Sequence, residues 1–475
     1  MADGLFTDLK AMVIDTTGMA FYADKDEELA RILHERLAET GVADCAAYLD
    51  MLTDGSTGAA EMDALVAELT IGETYFFRHK EQFDALREIV FNDVIERNRG
   101  VRRLRIWSAG CATGPEPYSL AIMLTRDFGM RIAGWDISIV GTDINSKFLA
   151  RAREGRYDDW AFRSVPDDIR RDCFDKNGKH WIIKSEFRRF VTFQHHNLIK
   201  NKFPSILDDL TNFDVIICRN VIIYFSKETI QGLIPSFRES LTEGGWLVMG
   251  HAEPNAELFR DFRAINTAGA VLYQKSEARE ARPTIGAPAP AAQGKAQAAV
   301  PPIPFDAPLS FLPKKNGRGR EAPPRPAAPV VPANPPAVAG QGGGSGAERV
   351  RELADGGSWE EALRACDDLL VGNALDARTH FYRSLILEQI GDAKESEKAV
   401  RRAIYLDRRL VLPHYHLGVF LWRRDDAQAA ARSFRNALTL LDGVSEDHVV
   451  SDGDEITAGQ VREAIETYLK LIGAA

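Results

Sequence analysis

An arginine and an asparagine directly follow Phe213–Cys218, a strand-like run that is apolar enough to be buried on both faces. Arg219 and Asn220 therefore lie at the tip of a central strand, where packing requires neither a charge nor an amide. We interpret them as groups that bind a ligand; the alternative is that they only cap the sheet edge. Tyr224 follows about one turn later and reaches the same edge if a helical turn begins there.

A loop of small residues supplies a second chemical group. Leu104–Ser108 predicts a short strand, Ala109–Gly114 is the loop, and Pro115 and Pro117 fit a first helical turn. Small residues let a ligand approach the backbone, and the helix N-terminus offers unpaired N–H groups. The loop lacks the G-x-G-x-x-G pattern of pyrophosphate sites, and Glu116 would repel a phosphate but suits a sulfonium or an α-ammonium group.

A carboxylate ends the next predicted strand. Asp143 follows Ile137–Thr142 and can accept hydrogen bonds from both ribose hydroxyls of an adenosine. Together with Glu116, this feature favours S-adenosylmethionine as the ligand. The alternative is an ordinary Rossmann-like sheet with a capping aspartate.

The elements that position these groups alternate between strand and helix from Arg102 to about Lys275. The predicted strands are Leu104–Ser108, Ile137–Thr142, Val191–His195, Phe213–Cys218, Trp246–Met249 and Gly269–Tyr273. The predicted helices are Pro117–Phe128, Asn145–Glu154, Lys227–Leu241 and Ala256–Phe262. This alternation predicts an α/β fold, a Rossmann-like, mostly parallel sheet with helices on both faces.

Ligands of such sheets bind at the carboxyl ends of the strands. The candidate site residues are therefore Gly110–Glu116, Asp143, Asn197–Leu198, Arg219–Asn220 and His251–Glu253. The stretch 172–192 interrupts the alternation, and its KNGK turn predicts a small β-hairpin insert.

The residues before the sheet predict helices, because apolar residues such as Leu29, Ile32 and Leu33 recur with a period near 3.6. Residues 1–70 are acidic overall. The aromatic run Tyr75–Phe77 is followed at once by Arg78, which indicates either the start of a buried helix or part of the site.

Composition limits the class of protein. A chain of 475 residues predicts two or three domains, and a net charge of −10 argues against a nucleic-acid binder. No apolar run is long enough for direct membrane insertion, and the N-terminus does not resemble a signal peptide. The five scattered cysteines indicate a reduced, cytoplasmic protein, and we expect no metal.

The last third of the chain is a linker followed by repeats. Residues 276–346 are rich in Pro, Ala and Gly and predict a disordered linker. Residues 347–475 repeat with a period of 34, in which Gly357, Gly391 and Asp425 correspond, and are similar to tetratricopeptide repeats with a capping helix near Thr457–Leu471. Such an array is an interaction surface for a further protein partner; the alternative is a plain helical bundle. Across this linker, we expect residues 1–275 to fold alone and the repeats to act chiefly through local concentration.

The segments LTIGETYFFR, SAGCATGPEPYS, GTDIN, HNL and CRNVIIYF resemble, in order and spacing, the motifs of the chemoreceptor glutamate methyltransferases, the CheR family. The resemblance implies a helical domain at 1–95 and a methyltransferase domain at 96–275 with a small β insert. It also implies that the cofactor S-adenosylmethionine is contacted by Thr74, Arg78, Glu116, Asp143, Asn197, Leu198, Arg219 and Asn220.

The implied reaction is methyl transfer to glutamate carboxylates on the cytoplasmic helices of methyl-accepting chemoreceptors, with S-adenosylhomocysteine as the product. A glutamate is already ionised at neutral pH, so the reaction needs no strong general base. A dry, aromatic-walled site that aligns the carboxylate with the C–S bond supplies most of the rate. Arg78 and Tyr224 flank the transfer centre in this scheme, where Arg78 holds the carboxylate and Tyr224 orients it.

Two features depart from the family pattern. The chain has Gly72 where the family commonly has Asn, and its N-terminal helices are acidic where the family's are often basic. Two other functions stay open: an adaptor of a chemosensory array that acts through its repeats, and a small-molecule methyltransferase. The intact set of site residues favours the protein methyltransferase, with the repeats recruiting it to receptor arrays.

Overall fold

The computed structural model describes residues 4–54, 58–276, 344–446, 448–450 and 456–473. The predicted linker at 276–346 lies almost entirely outside these ranges. Its disorder and the proposed domain boundaries therefore stay predictions.

Four helices begin the chain and form a small core of their own. They are α1 (Gly4–Thr17), α2 (Asp26–Thr40), α3 (Cys45–Thr53) and α4 (Gly58–Leu69). Leu29, Ile32 and Leu33 are buried, as their helical spacing predicts. Arg36 makes a bidentate ion pair with Glu61 inside the bundle, with N–O distances of 2.9 and 2.7 Å, which satisfies both buried charges.

The aromatic run Tyr75–Arg78 lies between this bundle and the sheet and does not begin a helix. The helices that follow are α5 (Lys80–Ala85) and α6 (Phe91–Arg97), joined by a π-helical turn. Phe77 and His79 have φ angles of 55° and 63°, which L-residues rarely adopt. The fully buried ring of Phe76 stacks on Phe162 at 5.1 Å between centroids and holds the segment in place.

The strands form the predicted mostly parallel sheet. They are β1 (Arg103–Ala109), β2 (Asp136–Asp143), β3 (Arg156–Tyr157), β4 (Phe174–Asn177), β5 (His180–Ile183), β6 (Val191–His195), β7 (Phe213–Cys218), β8 (Leu241–Met249), β9 (Phe262–Thr267) and β10 (Ala270–Lys275). Seven of them pair in the order β6-β2-β1-β7-β8-β10-β9, and only the pairs with β10 are antiparallel. All six predicted strands are confirmed.

Helices cover both faces of this sheet. They are α7 (Pro115–Phe128), α8 (Ser146–Glu154) and α11 (Lys227–Ser240), whereas the short helices α9 (Asp167–Cys173) and α10 (Ser185–Arg188) pack on β4 and on α7. Neighbouring residues of β1 point to opposite faces, so Ile106 shares a core with Leu120 of α7, whereas Trp107 packs with Phe237 of α11. Because both faces of the sheet are buried, its central strands consist mostly of apolar residues.

The predicted helix Ala256–Phe262 is wrong. The Asn255 side chain accepts hydrogen bonds from the N–H groups of Glu257 and Leu258, which closes a turn instead. Phe262 then opens the edge strand β9, which pairs with β10. Phe262 is the one buried residue of β9 and the other residues are exposed or half-buried, so the sequence lacks the apolar alternation that would have revealed a strand.

The predicted β-hairpin insert is confirmed. β4 and β5 pair antiparallel across Gly178, whose φ of 61° suits the KNGK turn. β3 pairs with β5 and completes a separate sheet of three strands.

Within the described part of the C-terminal region, seven helices form the repeats. They are α12 (Gly344–Asp355), α13 (Trp359–Gly372), α14 (Ala377–Ile390), α15 (Ala393–Leu406), α16 (Val411–Arg423), α17 (Ala427–Leu441) and α18 (Ala458–Ile472). Gly357, Gly391 and Asp425 all have left-handed φ angles, of 75°, 90° and 65°. The period of 34 therefore corresponds to a repeated turn within the helix pairs, which confirms the helical repeats.

The repeats also pack directly against the sheet domain. Ile206 and Leu207, in the connection between β6 and β7, are buried in the apolar core of the repeats. The expectation that the repeats act chiefly through local concentration did not include this contact.

No helix within the described ranges is both long and apolar enough to cross a membrane. All five cysteines lie in those ranges and none forms a disulfide. Four of them are buried and act as small apolar core residues: Cys111, Cys173, Cys218 and Cys366.

Substitution of Gly418 by Ala should destabilise the repeats. The added Cβ would lie 2.5 Å from ring carbons of Phe434, which is fully buried and stacked on Tyr468 at 4.8 Å. We expect a loss of about 1–3 kcal/mol, typical of overpacking, measured by hydrogen exchange of α16 and α17. Gly372→Ala is the control, because no atom lies within 4 Å of its Cβ. Equal effects of the two substitutions would contradict this close packing.

Candidate active site

One cavity opens at the carboxyl ends of the parallel strands β1, β2, β6 and β7. The cofactor and transfer-centre residues that the family resemblance implies all line it, namely Thr74, Arg78, Glu116, Asp143, Asn197, Leu198, Arg219, Asn220 and Tyr224. The N-terminal bundle completes the wall with Thr17, Met19, Phe21 and Tyr22. The fold thus brings the predicted residues together, while their individual roles stay proposals.

The turn after β1 forms the floor of this cavity. Gly110, Ala112 and Gly114 have φ angles of 74°, 48° and 91°, so the backbone turns sharply before α7 begins. A Cβ on Gly110 would lie 2.2 Å from a methyl group of Val221. Only glycine therefore lets the β1 turn and the β7 turn meet, which explains the small residues of the loop.

A buried ion pair joins these two turns. Glu116 Oε2 lies 3.0 Å from Nη1 of Arg219, and Glu116 Oε1 accepts a hydrogen bond of 2.7 Å from the Ser108 hydroxyl. The Arg219 side chain is only 2% exposed, and its Nη2 donates to the carbonyl of Arg78 at 2.6 Å. Burial raises the pKa of Glu116 and lowers that of Arg219, and each partner opposes the shift of the other.

Asp143 is held by backbone donors. Its Oδ2 accepts from the N–H of Ala112 at 2.8 Å and its Oδ1 from the N–H of Asn145 at 2.9 Å. Burial raises the pKa of Asp143, and these hydrogen bonds oppose the rise. Each oxygen keeps a second lone pair, so the carboxylate can accept a pair of ribose hydroxyls.

Arg78 and Tyr224 line the outer part of the cavity. Arg78 Nη1 donates to the Glu73 carbonyl at 2.6 Å, whereas its buried Nε has no hydrogen-bond partner within the described chain. The Tyr224 ring packs edge-on against Phe21, with centroids 6.0 Å apart. Burial raises the pKa of Tyr224, so its hydroxyl keeps its proton at neutral pH.

Asn197 fastens the N-terminal bundle to the sheet. Its Nδ2 donates to the Thr16 carbonyl at 2.7 Å, and its Oδ1 accepts from the N–H of Ile199 at 2.9 Å. Gly18 has a φ of 74°, and a Cβ there would lie 2.6 Å from the Ile199 side chain. Sequence reasoning missed the bundle residues of the cavity; the one signal was Gly18, followed closely by the aromatic pair Phe21 and Tyr22.

Gly72, where the chain departs from the family pattern, lies against the ring of Phe148. A Cβ at Gly72 would lie 2.4 Å from the ring of Phe148, which also lines the cavity. Phe148 therefore occupies the space that a side chain at position 72 would need.

Neither His251 nor Glu253, the two ends of a predicted site stretch, lines the cavity. Glu253 nevertheless supports residues that do. Its carboxylate accepts hydrogen bonds from the N–H groups of Asn220 and Val221, at 3.2 and 3.0 Å, and from Gly250. These bonds hold Asn220 at a φ of 60°. His251 instead packs against His79, with centroids 4.3 Å apart and the ring planes tilted by 32°.

These groups fit S-adenosylmethionine. Asp143 offers acceptors for a ribose, and the buried Nε atoms of Arg78 and Arg219 each lack an acceptor among the described residues. Apolar side chains such as Leu198 and Phe148 line the same cavity and can pack against an adenine ring.

The fold and the site define a methyltransferase whose cofactor is S-adenosylmethionine. The family profile described as "CheR methyltransferase, SAM binding domain" matches residues 72–271, and "CheR methyltransferase, all-alpha domain" matches residues 5–70. The chain belongs to the CheR methyltransferase family.

Relatives of known name agree with this assignment. The chain is 35% identical to "Chemotaxis protein methyltransferase" of Listeria innocua, over 40% of this chain and 69% of that protein. It is 30% identical to "Chemotaxis protein methyltransferase 1" of Pseudomonas aeruginosa, over 54% of this chain and 93% of that protein. "Probable biofilm formation methyltransferase WspC" of Pseudomonas aeruginosa is 28% identical over 88% of this chain and 94% of its own length, so this likeness extends into the repeats.

Substitution of Gly72 by Ala should weaken cofactor binding, because the new methyl group pushes the Phe148 ring into the cavity. We expect a Kd for S-adenosylmethionine that is roughly 5- to 100-fold higher, the range for a badly overpacked contact, measured by isothermal titration calorimetry. Gly72→Ala combined with Phe148→Leu should recover affinity, because leucine lacks the ring carbons that the new methyl group meets and keeps an apolar side chain in the cavity. Gly232→Ala is the control, because no atom of the described residues lies within 4 Å of its Cβ. Unchanged affinity in Gly72→Ala would rule out this contact as a cavity determinant.

Proposed function

We propose that this chain transfers a methyl group from S-adenosylmethionine to glutamate side chains of methyl-accepting chemoreceptors, which forms glutamate methyl esters and tunes chemosensory signalling. The observation that carries the proposal is the convergence of Arg78 and Tyr224 on the cavity that contains the Glu116–Arg219 pair and Asp143. The names of the chemotaxis relatives support the same substrate class.

When bound, the cofactor supplies a methyl group on a positively charged sulfur. The chain has to hold and align the acceptor carboxylate, which is ionised without help from a base. Arg78 has an unused Nε donor and can bind that carboxylate through a charge-assisted hydrogen bond. Tyr224 keeps its proton and can donate a second bond that fixes the direction of attack.

The Glu116–Arg219 pair suits the amino-acid end of the cofactor. The pair carries one charge of each sign at 3.0 Å and is nearly excluded from water. A zwitterion, with an ammonium and a carboxylate, complements such a pair without leaving a net buried charge. We propose that Glu116 faces the ammonium and that Arg219, through its unpartnered Nε, faces the carboxylate.

The receptor helices are cytoplasmic, so the proposed location is the cytoplasm, where the repeats recruit the enzyme to receptor arrays. An adaptor without methyl transfer is the second candidate. The complete cavity favours the enzyme, and a failure to bind S-adenosylmethionine would favour the adaptor.

Substitution of Asp143 by Ala should cost about 1–3 kcal/mol of cofactor binding, because the ribose hydroxyls lose a buried, charged acceptor. Isothermal titration calorimetry should report a Kd that is about 5- to 150-fold higher. Asp175→Ala removes an exposed aspartate from β4 and should leave the Kd unchanged. If Asp143→Ala binds as tightly as this control, Asp143 does not hold the ribose.

Substitution of Arg78 by Ala should lower turnover roughly 100- to 1,000-fold, the range for one aligned donor in a reaction centre. The measurement is transfer of a radioactive methyl group to a purified chemoreceptor at saturating cofactor. Arg163→Ala is the control, because Arg163 stacks 3.6 Å from the Tyr75 ring centroid and does not line the cavity. An equal loss in Arg163→Ala would assign the effect to Tyr75 packing, and the carboxylate clamp would be wrong.

A further inference from the structure

The connection between β6 and β7 inserts two aliphatic side chains into the repeats. Ile206 and Leu207 are only 1% and 2% exposed, although they belong to a loop of the sheet domain. Leu207 lies in a recess lined by Phe381, Tyr382 and Leu412 of the repeats. The repeats, and not the loop's own domain, thus provide the apolar core in which this pair is buried.

Polar contacts hold the backbone of the same loop. The N–H of Ile206 donates to Oδ1 of Asp355 at 2.8 Å, and Asp355 is a buried residue of α12. The loop itself is a turn, closed by two backbone hydrogen bonds between Ser205 and Leu210. Because Asp355 accepts from the main chain, this contact is available to any segment that forms the same turn.

An arginine of the repeats binds a carboxylate of the loop. Asp209 Oδ2 lies 3.0 Å from Arg423 of α16, and Asp209 Oδ1 lies 2.7 Å from Arg105 of β1. Glu388 of α14 pairs with Arg423 at 3.0 Å and holds the guanidinium in place. Burial alone would raise the pKa of Asp209, but Arg105 and Arg423 keep it well below its ordinary value, so this carboxylate stays ionised.

These contacts come from α12, α14 and α16, the first helices of successive pairs, and we call their shared surface the groove face. In stacked helical repeats, such a surface forms an extended binding site. The loop occupies it as a closed turn, with apolar anchors, a main-chain hydrogen bond and a charge-assisted contact. The chain therefore occupies its own groove face.

We propose that the groove face is a peptide-binding site whose internal ligand is the loop segment Ser205–Asp209. Its external ligand is a segment of a partner protein that forms the same turn, with two adjacent aliphatic residues and a carboxylate two positions after the second. The recess takes the aliphatic side chain, and Arg423 selects the carboxylate. Partner binding and docking of the repeats onto the sheet domain exclude each other, so the partner releases the repeats.

The test uses the full-length chain with a protease site inserted between Gln293 and Gly294. After cleavage, the two parts should still elute together on gel filtration, because the docked loop holds them. An excess of the peptide FPSILDDLTN, residues 203–212, should separate them, and the same peptide with Leu207→Asp should not. Parts that separate without peptide, or that no excess of peptide separates, would overturn the proposal.

Two substitutions in this cleavable chain test the contacts directly. Leu207→Asp should separate the parts after cleavage, whereas Val371→Asp, at a position 89% exposed, should leave them together. Because Leu207→Asp changes the sheet domain, Arg423→Ala tests the same contact from the repeat side and should weaken association roughly tenfold or more. Retained cofactor binding shows that the sheet domain of each variant is folded, and a retained helical circular-dichroism spectrum of the repeat part shows the same for the repeats. If both variants associate as tightly as Val371→Asp, the loop is not the ligand.

Discussion

The buried pair of Glu116 and Arg219 is the interaction on which the rest of the site depends. Two charges are tolerated in a protein interior only when they are paired, which fixes the relative positions of the elements that carry them. The β1 strand contributes Ser108, α7 contributes Glu116, and the end of β7 contributes Arg219. Arg219 also donates to the carbonyl oxygen of Arg78. The same pair therefore fixes the backbone of the residue that we propose binds the substrate carboxylate.

The site residues at strand ends were predictable from the sequence. The residues of the N-terminal bundle that line the opposite wall of the cavity were not. Glu116, Asp143 and Arg219 follow apolar strands, and parallel strands must bring their carboxyl ends to one edge. No such rule places the residues of the N-terminal bundle that line the cavity. The Thr16 carbonyl meets the Asn197 side chain across 181 positions of sequence, and no periodicity reports that contact.

The fold was predictable wherever burial left a regular pattern. Central strands and amphipathic helices have two sides with different surroundings, so their apolar residues recur with period 2 or 3.6. The edge strand β9 has a single buried residue, so its apolar residues show no regular period. The burial of Ile206 and Leu207 was not predictable for the opposite reason. Two buried residues in a loop have no period, and their burial depends on a surface of the repeats that begins more than 140 residues away along the chain.

Docking of the repeats reaches the cofactor cavity through α18. Gln460 Nε2 lies 3.3 Å from Nδ1 of His195, whose Nε2 lies 3.0 Å from the carbonyl oxygen of Ile144. Ile144 lines the cavity and directly follows Asp143. A tether alone changes how often enzyme and receptor meet and leaves the affinity of the cavity unchanged. A docked array can also change that affinity, and by thermodynamic linkage any such change requires the cofactor to alter docking by the same factor.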